Sequence, residues 1–200
     1  MKKVKIAIQG ELGAYSHIAV NNLFKDAEIK TCATFEETFK KAYEDESYKI
    51  IIPIENSLAG RVADIHYLLP KYKLQIHGEY FLNVEHNLLC KPEAEISDIK
   101  FVRSHAQAIG QCQKIIHKNK FQPIISADTA GSAKELAEGN DKSIAAIASD
   151  LSAKIYKLKI LEKNIEDEKG NVTRFLIMGK NIEQPEFSNK KKFITSCIFR

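Results

Sequence analysis

Apolar positions along this 200-residue chain recur with two periods, short strand-like runs alternating with helical stripes. Val4-Lys5-Ile6-Ala7-Ile8 reads as a strand, a helical pattern follows from about Ser16 to Lys25, and Ile29 to Cys32 is strand again. Thr34-Phe35-Glu36-Glu37 has the form of a capping box, after which Phe35, Phe39, Ala42 and Tyr43 keep helical spacing. Lys49-Ile50-Ile51-Ile52-Pro53-Ile54 reads as a buried parallel strand, and Val62, Ile65, Leu68 and Leu69 share one face of the helix after it. The order β-α-β-α-β-α predicts a parallel sheet with helices packed on it.

From Lys73 the pattern becomes strand-rich, Leu74 to Phe81 and then Val84 to Cys90, before a second alternating series. That series holds a strand at Phe101-Val102-Arg103, one helix carrying Ala108, Ile109, Cys112, Ile115 and Ile116, and a strand near Pro123 to Ser126. It continues with a helix from Thr129 to Glu138 and a strand from Ser143 to Ala148. Two α/β lobes are therefore expected: residues 1–76 with about 173–185 in the first, and 77–172 in the second. The hinge falls near 75–82, and the chain crosses back between 150 and 175. Ligands of open α/β sheets bind beyond the carboxyl ends of the strands, so an interlobe cleft is the expected site.

Composition adds bounds. With 44% hydrophobic and 28% charged residues, the chain is an ordinary globular protein. Part of the net charge of +4 sits in Lys190-Lys191-Lys192, and no basic face interleaved with aromatics marks a nucleic-acid surface. Cys32, Cys90, Cys112 and Cys197 form no CxxC pair, so neither a zinc knuckle nor a redox motif is indicated and free thiols are expected. The apolar run after Met1-Lys2-Lys3 is interrupted at Gln9, Gly10 and Glu11, too short for a signal-peptide core, and no stretch has the length of a membrane span. A cytoplasmic location follows as the expectation.

Polar groups cluster where strands become helices. Gly10-Glu11-Leu12-Gly13-Ala14-Tyr15-Ser16-His17 follows the first strand; it is either a tight turn or an anion site built from backbone N–H groups and a helix N-terminus. In Pro53-Ile54-Glu55-Asn56-Ser57, the side chains of Asn56 and Ser57 either cap the next helix or contact ligand. Glu55 serves as a general acid or base, or pairs with a cation such as Arg61. Arg103-Ser104-His105-Ala106-Gln107 places three polar groups at one turn, with Ser104 a natural N-cap. Asp128-Thr129-Ala130-Gly131 reads as a cap whose backbone N–H groups, at Thr129 and Ala130, can face the cleft.

Asn171-Val172-Thr173-Arg174-Phe175 then joins a hydroxyl, a cation and a ring at the mouth of a strand. Alternation puts Thr173 and Phe175 on one face and Arg174 on the other. Arg174 either binds a carboxylate or makes an ion pair that fixes the strand.

Together these segments resemble prephenate dehydratase: G-x-x-G-x-Y-S at Gly10 to Ser16, P-I-E-N-S-x-x-G-x-V at Pro53 to Val62, and N-x-T-R-F at Asn171 to Phe175. The S-H-P-Q-A segment appears as Ser104 to Ala108 with alanine for proline, and the resemblance spans about residues 4 to 180. It implies a two-lobed, periplasmic-binding-protein-like (type II) α/β fold with the active site between the lobes, and neither metal nor organic cofactor. It further implies prephenate as the small-molecule substrate, Thr173 as the catalytic residue, and a dimer in full-length relatives. Glu55 or His105 is the expected proton relay. Gly13, Tyr15, Ser16, Asn56, Ser57, Ser104, Gln107, Thr129, Ala130, Arg174 and Phe175 are the expected substrate contacts. Arogenate as substrate and a non-catalytic binding module of the same fold are the alternatives. Residues 190–200 are expected to begin an ACT domain, the phenylalanine-binding regulatory unit of family members, which the chain would leave incomplete.

Overall fold

The computed structural model describes residues 3–181, arranged as two α/β lobes. The first lobe runs β1 (Lys5–Gln9), α1 (Tyr15–Leu23), β2 (Glu28–Cys32), α2 (Phe35–Glu44), β3 (Tyr48–Asn56), β4 (Gly60–Arg61), α3 (Ala63–Tyr72) and β5 (Gln75–Asn83). The second comprises β6 (Asn87–Cys90), β7 (Phe101–His105), α4 (Ala106–Gln111), α5 (Gln113–Asn119), β8 (Gln122–Ser126), α6 (Thr129–Glu138), β9 (Ile144–Ala148), α7 (Asp150–Tyr156) and β10 (Lys159–Glu162). The chain then returns to the first lobe as β11 (Val172–Gly179).

Local chemistry explains several boundaries. Thr34 accepts a hydrogen bond from Glu37 N at 3.1 Å and so caps α2 as half of the expected capping box; the Glu37 carboxylate reaches one residue further back and accepts from Ala33 N at 2.9 Å, not from the N-cap amide. Ile50, Ile51 and Ile52 are fully buried because β3 is central, with α2 and α3 on one face of the sheet and α1 on the other. In the second lobe β9 is central, covered by α4 and α5 on one side and α6 and α7 on the other.

The sheets are mixed rather than purely parallel. β2-β1-β3 and β9-β7-β8 are parallel, but β11 runs antiparallel to both β3 and β5, and β6 antiparallel to both β9 and β10. β11 returns between β3 and β5 and runs against both, which short apolar runs do not reveal.

Three boundaries move. β5 pairs with β11 from Gln75↔Gly179 to Val172↔Asn83, so the expected boundary at 76 and hinge at 75–82 lie inside the first sheet. The outgoing crossing is residues 84–86, not part of a strand from Val84, and the return occupies 163–171. The single helix expected over Ala108 to Ile116 breaks at Cys112 into α4 and α5. Residues 182–185 and 190–200, assigned to the first lobe and to an ACT domain, lie outside the described residues.

Candidate active site

The carboxyl ends of β1, β3, β7 and β8, together with β11 and both crossings, surround a cleft of about 670 Å³. Its floor is set by one register. Thr173 of β11 pairs directly with Asn56 of β3, and a bulge after Arg174 places Phe175 opposite Pro53. Thr173, Asn56 and Phe175 all line the cleft, Thr173 8% and Phe175 1% exposed.

Asn56 is oriented by the backbone. Its Oδ1 accepts from Leu58 N at 3.0 Å and Ala59 N at 2.8 Å, so its Nδ2 points the other way. That Nδ2 donates to Thr173 Oγ1 at 2.9 Å and to Asn171 Oδ1 at 2.6 Å. Thr173 thus accepts at Oγ1, and its own proton is left for a group in the cleft.

Arg174 takes the opposite face. Its Nη1 lies 3.1 Å from the Glu55 carboxylate and its Nη2 2.7 Å from Glu79, and the two carboxylates hold the guanidinium above its ordinary pKa. Of its two readings, the ion pair is the one observed. Glu55 accordingly departs from the expected relay position: it is exposed, pairs with Arg174 rather than Arg61, and does not line the cleft. One residue of strand alternation separates it from Asn56.

Tyr15 and Ser16 line the cleft from the first turn of α1, whose N-terminus has no side-chain cap. Gly13 does not line it. At φ +96°, Gly13 packs under α7, where an added Cβ would sit 2.8 Å from Ser152 Cα. Ser57 is no helix cap: its hydroxyl donates to Gly170 O at 2.8 Å and accepts from Val172 N at 2.9 Å, bracing the return crossing outside the cleft. The N-cap of α3 is Val62, with no side-chain bond.

In the second lobe, His105 and Gln107 line the cleft and Ser104 does not. Ser104 is the fourth residue of β7, fully buried, donating to Ile147 O at 2.7 Å. His105 is the cap instead, its Nδ1 accepting from Gln107 N at 3.3 Å. Ala106 is the first residue of α4, a position that tolerates alanine or proline. Asp128 caps α6 as expected through Gly131 N at 2.6 Å; Thr129 reaches the cleft, whereas Ala130 is buried behind it.

Several lining residues were not among the sequence candidates: Arg61, Asp64, His86, Gln111 and Asn171. Arg61 is the one Lys or Arg among the described residues lining the cleft. His86 is 3% exposed, and burial lowers its pKa against the opposing pull of Gln111 and Glu166. Asn171 opens the N-x-T-R-F motif, which was the one signal for it; His86 and Gln111 lie in apolar stretches without one. Among the described residues no group of three or more His, Cys, Asp or Glu is placed to hold a metal, and no helix is long and apolar enough to cross a membrane.

The prephenate dehydratase family model matches residues 6–183. The chain belongs to this family. It is 37% identical over 197 residues to arogenate dehydratase/prephenate dehydratase 2, chloroplastic, of Arabidopsis thaliana, covering 98% of this chain and 51% of that protein. It is 39% identical over 175 residues to a bifunctional N-acyl-homoserine lactone acylase/prephenate dehydratase of Komagataeibacter europaeus, covering 88% and 62%. A crystal structure of prephenate dehydratase in complex with L-Phe from Arthrobacter aurescens superposes with a TM-score of 0.84 at 27% identity, over 92% of this chain and 63% of that one. The chain thus spans about half to three fifths of the length of these relatives. Its two sheets joined by two crossings form the two-lobed α/β fold expected of a prephenate dehydratase.

Proposed function

We propose that this cleft carries out the decarboxylating dehydration of prephenate to phenylpyruvate in L-phenylalanine biosynthesis. The supporting observation is the Thr173 hydroxyl, fixed as an acceptor by Asn56, with its proton free for a substrate oxygen. The ring C–CO₂ bond breaks, its electron pair forms the new ring double bond, and the ring C–O bond breaks as hydroxide leaves. Carbon dioxide and, with one proton, water are released. Aromatisation drives the reaction; the protein has to hold the dianion and assist departure of the hydroxyl. Thr173 donates to that oxygen, and His105 is the titratable group of the expected relay that shares the cleft.

The retained carboxylate suits the uncapped first turn of α1 and the Arg61 guanidinium. Phe175 lies beneath the ring. The acylase in the name of one relative would require a nucleophile beside a base, whereas the neighbour of Thr173 is an amide. Arogenate differs by one amino group, and Asp64 at the cleft rim offers a carboxylate that suits an ammonium, which favours it as the second reading.

The test is turnover of prephenate to phenylpyruvate and of arogenate to phenylalanine, side by side. Thr173→Ala is expected to lower kcat by about 10² to 10⁴-fold without moving the unfolding midpoint. Undiminished turnover would remove Thr173 from the chemistry, and binding of both compounds without turnover would make this a binding module.

A further inference from the structure

A chain of side-chain hydrogen bonds runs from the Leu58–Ala59 turn through both interlobe crossings, and its polarity is fixed from one end. Amide oxygen and nitrogen are told apart by what they face, and backbone N–H groups settle the first member. With Asn56 Oδ1 held by two backbone donors, Asn56 Nδ2 donates to Asn171 Oδ1. Asn171 Nδ2 then donates to Gln111 Oε1 at 2.9 Å. An oxygen only accepts, so the other group on it, His86 Nε2 at 2.8 Å, has to donate.

The far end has one proton to place. His86 Nδ1 lies 2.8 Å from the Tyr15 hydroxyl, which is also 2.9 Å from Glu85 O. Burial pushes the Tyr15 phenol well above its ordinary range, so it keeps its proton. A neutral His86 with its proton on Nε2 accepts that phenol proton at Nδ1; an imidazolium would turn it to Glu85 O.

The backbones that carry these side chains are themselves tied together. Val84 N donates to Asn171 O at 2.8 Å, Ile165 N to His86 O at 2.9 Å, and Asp167 N to Gln111 O at 2.7 Å. His86 N also donates to the Glu166 carboxylate at 3.0 Å. Little slack remains between the two ends of the chain.

We propose that His86 is a positioning residue for Thr173, its single proton on Nε2 pinning Gln111 as the acceptor that orients Asn171 and Asn56. The inference rests on the dehydratase reading of the cleft only for its effect on turnover. Without the Nε2 proton, Gln111 is free to turn its amide over and set donor against donor at Asn171. The geometry around Thr173, and not affinity for substrate, is what loosens.

Nitrogen NMR of ¹⁵N-labelled protein, with His86 assigned by its loss in His86→Gln, reads the ring directly. The expected result is the Nε2–H tautomer at neutral pH; an Nδ1–H tautomer overturns the proposal. Gln111→Glu keeps the acceptor and adds a charge, and should raise the His86 titration by about one to three units; an unmoved titration also overturns it. In turnover, His86→Leu should lower kcat by about 10²-fold with little change in KM. His86→Gln, whose amide nitrogen replaces Nε2, should recover most of that loss. Equal losses in the two variants would reduce His86 to packing. If the unaltered protein turns over neither substrate, the dehydratase reading falls while the tautomer and titration still decide the hydrogen-bond chain.

Discussion

Thr173 and Arg174 are adjacent, yet one faces the cleft and the other is held between Glu55 and Glu79, because β11 alternates its side chains. Among the described residues, the guanidinium that lines the cleft is Arg61, on a different strand. Replacement separates the two roles. Arg61→Ala should raise KM for prephenate by about ten- to a hundredfold, the loss of one charge-assisted hydrogen bond, with kcat little altered. Arg174→Ala should leave KM unchanged and lower stability by about 1 kcal/mol, a partly exposed pair being screened by solvent. A KM effect from Arg174 alone would reverse the assignment. Two histidines add a pH dependence, for burial lowers both His86 and His17, and His17 Nδ1 accepts from Gly13 N at 3.0 Å. As pH falls below the unfolded value of about 6.5, the unfolded chain takes up protons that the folded chain refuses. Stability is therefore complete above that pH and is lost as pH falls through the folded pKa values. Urea midpoints between neutral pH and pH 5 should show this decline, with a smaller slope in His86→Gln; an unchanged slope would show that His86 titrates alike in both states.

The turn between β1 and α1 shows how an element is positioned by another lobe. Ser149 Oγ donates to Gly13 O at 2.6 Å and Ser152 Oγ to the same oxygen at 3.1 Å, so α7 of the second lobe grips the turn. Gly13→Ala should cost about 1 to 3 kcal/mol from its positive φ alone, and more from the Ser152 contact. Adding Ser152→Gly removes the serine side chain but leaves its Cα at 2.8 Å, so it should recover only the side-chain part of the contact, which paired denaturation curves would reveal; full recovery would deny the backbone strain. Elements set by local chemistry were legible in the sequence. The Thr34 cap, the buried isoleucines of β3 and the Asp128 cap all depend on residues a few positions apart. The break between α4 and α5 was not legible, because the apolar spacing runs unbroken through Cys112. Its cause is Asp167, whose carboxylate accepts from Gln113 N at 2.8 Å and Lys114 N at 3.0 Å, from more than fifty positions away. The site divides in the same way. Asn56, Thr173 and Phe175 could be placed by alternation at strand ends, whereas Glu55 and Ser104 were each misplaced by one position in a strand. His86 and Gln111 become polar partners only when the crossings meet.

At the scale of the molecule, two lobes share a cleft and are joined by two crossings, so the distance between them depends on contacts other than the sheets. Apart from the amide chain at the crossings, the structure has a second set on the Glu11–Gly13 turn. Lys134 Nζ lies 3.1 Å from Glu11, and Tyr156 donates to Leu12 O at 2.8 Å, beside the two serine bonds to Gly13 O. Burial pushes the Tyr156 phenol up to about 12, so it remains a donor through the working pH range. The Lys134–Glu11 pair is partly exposed and should weaken with salt; the Tyr156 bond is between neutral groups and should not. Neither contact belongs to the core of a lobe, so removing them should open the cleft without unfolding either half. Lys134→Ala with Tyr156→Phe is expected to increase the radius of gyration measured by X-ray scattering and to raise KM, with a nearly unchanged unfolding midpoint. Tyr156→Phe alone should make the scattering profile more sensitive to salt, because the ion pair would then carry more of the closure. An unchanged radius and KM in the double variant would assign closure to the two serine bonds on Gly13 O and to the crossings, where the Asn56–Asn171–Gln111–His86 chain already ties Thr173 to both lobes.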